Sequence, residues 1–173
     1  QWNRWEKEWE TLKNDWTQIS LSPGSNATEL NFAWYTPKKI NDDNSNAAVQ
    51  AKVQAISPEQ KNSNVPKLII GEGRNMKNAK VYEAEQTAVK DEQDNNGETY
   101  NSNKVTATGI KENKTYYYSY DNGNGYTKPA AYTTKSTNNF SFAFVGDPQI
   151  GSSNELKGKD TKEFYDAQSN AVK

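Results

Sequence analysis

The stretch Gly109–Tyr120 reads GIKENKTYYYSY: an apolar Ile110, a polar turn, then a strand with Tyr116, Tyr118 and Tyr120 on one face. Two readings compete. One is a plain tyrosine-rich strand. The other is a tyrosine corner, in which a Tyr early in the sixth strand of a β-sandwich ties its hydroxyl to backbone just upstream. The spacing of Ile110 and Tyr116 suits the corner without excluding the plain strand, so the choice turns on how many strands flank it.

Working outward, the chain alternates short β-like segments with turn residues. Ile19–Leu21 runs into a Ser-Pro-Gly turn at Ser22–Gly24. In Ala27–Pro37, Leu30, Phe32 and Trp34 alternate with Glu29, Asn31 and Ala33, the pattern of a half-buried strand. Lys67–Gly73 (KLIIGEG) is a third strand and Val81–Val89 a fourth; a polar loop containing Asp91–Gly97 leads to a fifth at Asn103–Ile110. The Tyr-rich segment is the sixth, and Lys128–Lys135 supplies a seventh. Asn41–Asn64 is polar and weakly patterned, and within it Ala47–Ile56 fits a short helix or a strand equally well. Seven strands separated by turns predict a mainly β chain, with an immunoglobulin- or fibronectin III-like β-sandwich over residues 18–136. That count favours the corner.

Before the sandwich, QWNRWEKEWETLKNDW places Trp2, Trp5, Trp9, Leu12 and Trp16 at steps of three and four. This spacing predicts an amphipathic helix over residues 1–17. Either the Trp face docks on its own protein, or it forms an aromatic stripe for a sugar or partner; exposure of the Trp side chains discriminates the two.

Composition narrows the chemistry. The 173 residues contain no cysteine and no histidine, which removes disulfides, thiol and imidazole catalysis, and every Cys- or His-containing metal cluster built from this chain alone. With 21 basic and 22 acidic residues and no basic stripe, there is no nucleic-acid footprint. No apolar run is long enough to span a membrane. Only 32% of residues are apolar, so the core is expected to be small and weighted toward aromatics. The sequons at Asn26 and Asn113 are read as coincidence, and the Glu83/Glu85 and Asp42/Asp43 pairs as solvated charges. A free-standing enzyme within these residues is disfavoured.

After a polar linker at Ser136–Asn139 the pattern changes. Phe140–Ser153 reads FSFAFVGDPQIGSS, with Phe142–Val145 apolar on both faces, as in a strand buried within an α/β sheet. Residues 158–173 then read as a helix, with Asp160 or Thr161 as its N-cap. Ligands in open α/β sheets collect beyond the carboxyl ends of strands. Asp147 stands at such an edge, where a hard or borderline cation can be held, and Gln149 could offer an amide oxygen to the same ion. An Asp before Pro also occurs in ordinary turns.

Three stretches together, Gln18–Pro37, Thr108–Gly125 and Phe140–Ser153, resemble bacterial secreted metallophosphoesterases of the purple acid phosphatase type. The resemblance implies a fibronectin-like N-terminal domain followed by the first strand and helix of an incomplete calcineurin-like catalytic domain, residues 137–173. It makes Asp147 the first metal-ligand Asp of a dinuclear iron, zinc or manganese centre; Gln149 departs from the His or Gly of the family pattern. The later Gly-Asp, Gly-Asn-His and Gly-His motifs are not in these residues, so the chain alone is expected to be inactive and to bind no metal tightly. The partners implied are the rest of the catalytic domain and, for the whole protein, a phosphoester substrate; the location implied is secreted or cell-surface. The strand at 140–145 is expected to pack on the sandwich, to pair with a second copy, or to be poorly ordered. A non-catalytic module that binds glycan or protein is the alternative.

Overall fold

The alternation in Glu29–Pro37 is plain in the structure, a computed structural model that describes residues 15–38, 46–56, 65–90 and 99–141 and positions 6, 7, 9, 12 and 144. Leu30, Phe32, Trp34 and Thr36 are buried, and the residues between them are half-buried or exposed. The elements in chain order are β1 (Ser20–Pro23), β2 (Glu29–Pro37), α1 (Ala47–Ile56), β3 (Lys67–Glu72), β4 (Lys77–Glu83), β5 (Glu85–Lys90), β6 (Thr99–Thr108), β7 (Thr115–Tyr120) and β8 (Ala130–Thr133). They build two four-stranded antiparallel sheets, ordered β1-β2-β6-β5 and β4-β3-β7-β8.

The sheets share one core. Leu30, Phe32, Trp34, Val105 and Ala107 of the first meet Leu68, Ile70, Tyr116 and Tyr120 of the second, which makes the pair a β-sandwich. Aromatics supply much of the contact across the gap: Phe32 and Tyr118 rings lie 5.2 Å apart, and Trp34 and Tyr120 rings 5.5 Å apart. Two polar groups are buried between the sheets without being orphaned. The Trp34 indole N–H donates to the Asp121 carbonyl at 2.8 Å. Asn103 donates through Nδ2 to the Trp34 carbonyl and Thr36 Oγ1, and its Oδ1 accepts from Gln86 Nε2 at 2.9 Å. Satisfying these groups removes a desolvation cost of about 1–3 kcal/mol each.

The corner reading of Gly109–Tyr120 holds. Tyr116 is buried at the start of β7, and the Lys111 backbone N–H donates to its hydroxyl at 2.9 Å, across the β6–β7 turn. Gly109 and Asn113, both at positive φ, shape that turn. Tyr116→Phe is expected to lower stability by about 1–2 kcal/mol, since the Lys111 N–H loses its partner while the ring packing stays. Urea unfolding followed by circular dichroism measures it, and an unchanged midpoint would count against the corner as a stabilising device.

Two sequence expectations need correction. The single strand expected over Val81–Val89 is two strands in different sheets: β4 pairs with β3, and β5 pairs with β6. The chain crosses at Ala84, which is buried in the core and donates its N–H to the Pro66 carbonyl at 2.9 Å. Among the described residues there are therefore eight strands where seven were expected in the sandwich. Trp16, expected on the N-terminal helix, lies in a turn, although positions 6, 7, 9 and 12 are helical. The cause is Asp15, whose carboxylate accepts from the Thr17 N–H at 2.9 Å and from its hydroxyl at 2.6 Å. Such local bonds compete with helix continuation. The segment is then tied to the sandwich by the Tyr120 hydroxyl, which donates to the Thr17 carbonyl at 3.2 Å. Burial first, and then the nearby Asp15 charge, push the Tyr120 phenol up to about 12.

Ala47–Ile56, left open by its pattern, is a helix. Asn46 caps it, accepting from the Val49 N–H at 3.2 Å, and Val49 and Val53 point to one side. They cover Ile69 and Met76, with Ala79, Val81 and Tyr117 alongside, on the outer face of the second sheet. This second, smaller cluster buries β3 on both faces, so Lys67–Gly71 is buried throughout.

The chain divides into two compact units, Gln1–Asn139 and Phe140–Lys173. Of the stretch 140–145, positions 140, 141 and 144 are described, and none of these lies in a strand. The residues read as a C-terminal helix, 158–173, lie outside the described residues.

Candidate functional site

Asp147 and Gln149, the residues singled out as metal ligands, lie outside the described residues. Among the described residues no group of three or more Asp, Glu, His or Cys converges. What the structure does define is the sandwich surface, where three features stand out.

The first is a cavity of about 220 Å3 beside the tyrosine corner, lined in part by Glu72, Lys80, Tyr82, Lys111 and Tyr116. Its polar groups hold one another. Lys111 Nζ lies 3.2 Å from Glu72 Oε1, Lys80 Nζ donates to the Thr108 carbonyl at 3.2 Å, and the Tyr82 hydroxyl bridges the N–H and carbonyl of Thr108. These bonds fasten the β6–β7 turn to β3 and β4, and they account for the charges there. The same turn is fastened from the other side by Glu112, which accepts from the hydroxyl and backbone N–H of Thr137. Those bonds hold the Glu112 carboxyl below its usual range.

The second is a cavity of about 290 Å3 between the start of α1 and the β7–β8 connection, lined by Asn46, Asn122, Asn124, Gly125, Tyr126, Thr127 and Lys128. Its amides are used in turns: Asn122 Oδ1 accepts from the Asn124 N–H at 3.0 Å, and the Asn46 N–H donates to the Tyr126 carbonyl at 2.9 Å.

The third is aromatic and faces solvent. Trp16 sits edge-on to Tyr100, with ring centroids 4.7 Å apart at 69°. Tyr35 on β2 and Val89 on β5 are exposed nearby in the register of the first sheet. On the N-terminal helical segment, Trp9 is 40% and Leu12 42% exposed. Tyr35 and Tyr100 were missed as candidates because Tyr35 looks like an ordinary strand aromatic and Tyr100 lies ahead of the strand expected at Asn103–Ile110; only the pairing of β2, β6 and β5 puts them on one face. Compared with protein families and with curated proteins, the chain matches none.

Proposed function

We propose that the chain is the N-terminal accessory sandwich, of fibronectin III or immunoglobulin type, of a secreted metal-dependent phosphoester hydrolase, followed by the opening segment of the catalytic domain. The observation that carries the reading is the order of parts. The strand orders β1-β2-β6-β5 and β4-β3-β7-β8 support the sandwich part of the reading, since they can be aligned with strands A-B-E-D and C-F-G of that class with β4 added beside C, and the Tyr116 hydroxyl bond stands where the class has its tyrosine corner. A unit boundary after Asn139 then precedes the apolar run that ends in Gly146-Asp147.

In this reading Asp147 is one terminal ligand of a dinuclear centre. The donors in this chain do not fit such a centre by themselves, because there is no His or Cys and the later Gly-Asp, Gly-Asn-His and Gly-His motifs are not in these residues. Activating a water between two ions needs several ligands per ion. The sandwich acts by positioning or shielding the catalytic domain.

Two measurements test this. Calorimetric titration of the 173-residue chain with manganese, iron or zinc is expected to reveal no site tighter than micromolar. The protein encoded by the whole reading frame is expected to hydrolyse p-nitrophenyl phosphate, to lose the activity on chelation, and to regain it with metal. A frame without Gly-Asn-His and Gly-His motifs after Asp147 overturns the reading. A non-catalytic binding module is the second reading, favoured by the exposure of Trp9 and Trp16.

A further inference from the structure

The outer face of the first sheet carries an ordered array that the hydrolase reading does not use. In the strand register, Ser102 of β6 is the partner of both Tyr35 of β2 and Thr87 of β5. Tyr100, two residues earlier on β6, is the partner of both Pro37 and Val89. These six residues have the parity opposite to the buried Trp34, Thr36 and Asn103, so they share the outer face. They form two rows across three strands, Tyr35–Ser102–Thr87 and Pro37–Tyr100–Val89. Strand spacing and rise make the array about 10 Å wide and about 7 Å tall. Trp16 adds a ring at its rim, edge-on to Tyr100 at 4.7 Å. Tyr35 is 48%, Trp16 46% and Val89 39% exposed.

We propose that this array is a binding platform for an uncharged glycan chain, with Tyr35, Tyr100 and Trp16 stacking on sugar rings and Thr87 and Ser102 bonding their hydroxyls. Sugar rings present an apolar C–H face rimmed by hydroxyls, which suits aromatic rings interleaved with small hydroxyl side chains. The array contains no charged residue, and in the next row Glu85 stands opposite Lys104 in the register. Among the described residues, a phosphate, a polyanion or an anionic membrane therefore meets no cation within the array itself. Area argues against a second protein or a second copy of this chain. The array and its rim cover a few hundred Å2 at most, on the order of a single exposed patch on a monomer, against about 800 Å2 per partner for a stable protein complex. One or two sugar units match that size. The platform does not depend on the hydrolase reading, and its failure would leave the phosphatase assay untouched.

The test uses the whole 173-residue chain in native affinity gels containing barley β-glucan, galactomannan or arabinoxylan, with polygalacturonate as the anionic comparison. Retardation by at least one neutral polymer is expected, with affinity falling ten-fold or more in Tyr35→Ala and in Tyr100→Ala. Thr106→Ala, on the same face but beyond the array, should leave it unchanged. Tyr35 is exposed and outside the core, so its variant keeps the test valid should Tyr100→Ala fail to fold; circular dichroism checks both. The proposal is overturned if no neutral polymer retards the chain, if polygalacturonate alone does, or if Tyr35→Ala binds as tightly as the unchanged chain. It is likewise overturned if light scattering finds a dimer that Tyr35→Ala dissolves.

Discussion

Trp34→Ala is expected to cost about 3–5 kcal/mol of folding stability, enough to unfold a large share of a domain whose total lies in the usual range of about 5–15 kcal/mol. Three losses combine. The indole is only 2% exposed, so its removal leaves a cavity within the core cluster it shares with Phe32, Leu68 and Tyr120. Its ring contact with Tyr120 at 5.5 Å disappears. Its N–H no longer reaches the Asp121 carbonyl, a bond that ties β2 of one sheet to the end of β7 in the other. Trp34→Phe keeps part of the volume without the N–H and should cost about 1–3 kcal/mol. Urea unfolding followed by circular dichroism, which does not depend on the lost Trp emission, gives both values. A loss under about 1 kcal/mol for the alanine variant would mean that the inter-sheet core is not organised around this residue.

Ile69→Ala is expected to cost about 2–5 kcal/mol, the value for a core residue. Its position on the outer face of the second sheet would otherwise suggest a small effect, near about 0.5 kcal/mol for a solvent-facing site. The difference is α1. Ile69 is fully buried because Val49 and Val53 lie over it, with Met76 beside them. Ala51→Pro breaks the helix interior, at about 3 kcal/mol, and supplies the control. In that background Ile69→Ala should cost much less than it does alone, because residues that share a packing contact are not additive. Equal costs in the two backgrounds would show that α1 does not cover the sheet in solution.

What was legible in the sequence is what local physics decides. The alternation of Leu30, Phe32 and Trp34 marks β2 because side chains of a strand alternate between faces, and a half-buried sheet needs one apolar face. The Tyr116 corner was legible because its bond closes over five residues, from the Lys111 N–H to the Tyr116 hydroxyl. The crossing at Ala84 was hidden. Val81 and Val89 have the same parity and read as one strand, yet Val81 packs beneath α1 on the second sheet, and Val89 lies on the outer face of the first. Parity records alternation along a strand and carries no label for the sheet it belongs to. Ala47–Ile56 was ambiguous for a related reason: Ala47, Val49, Ala51, Val53 and Ala55 alternate like a strand, while Val49, Val53 and Ile56 recur like a helix. Burying Ile69 and Met76 decided it.

The candidate sites divide the same way. From sequence alone come the absence of imidazole and thiol chemistry, the β class of the chain, and Asp147 as a carboxylate after an apolar run, since each is a matter of residue type or short spacing. Only the tertiary structure could assemble the array of Tyr35, Tyr100 and Val89 with Trp16 at its edge. These residues are far apart in the chain, and they become neighbours because antiparallel pairing of β2, β6 and β5 sets one register across three strands. A register is a property of paired strands, so no single strand's sequence contains it.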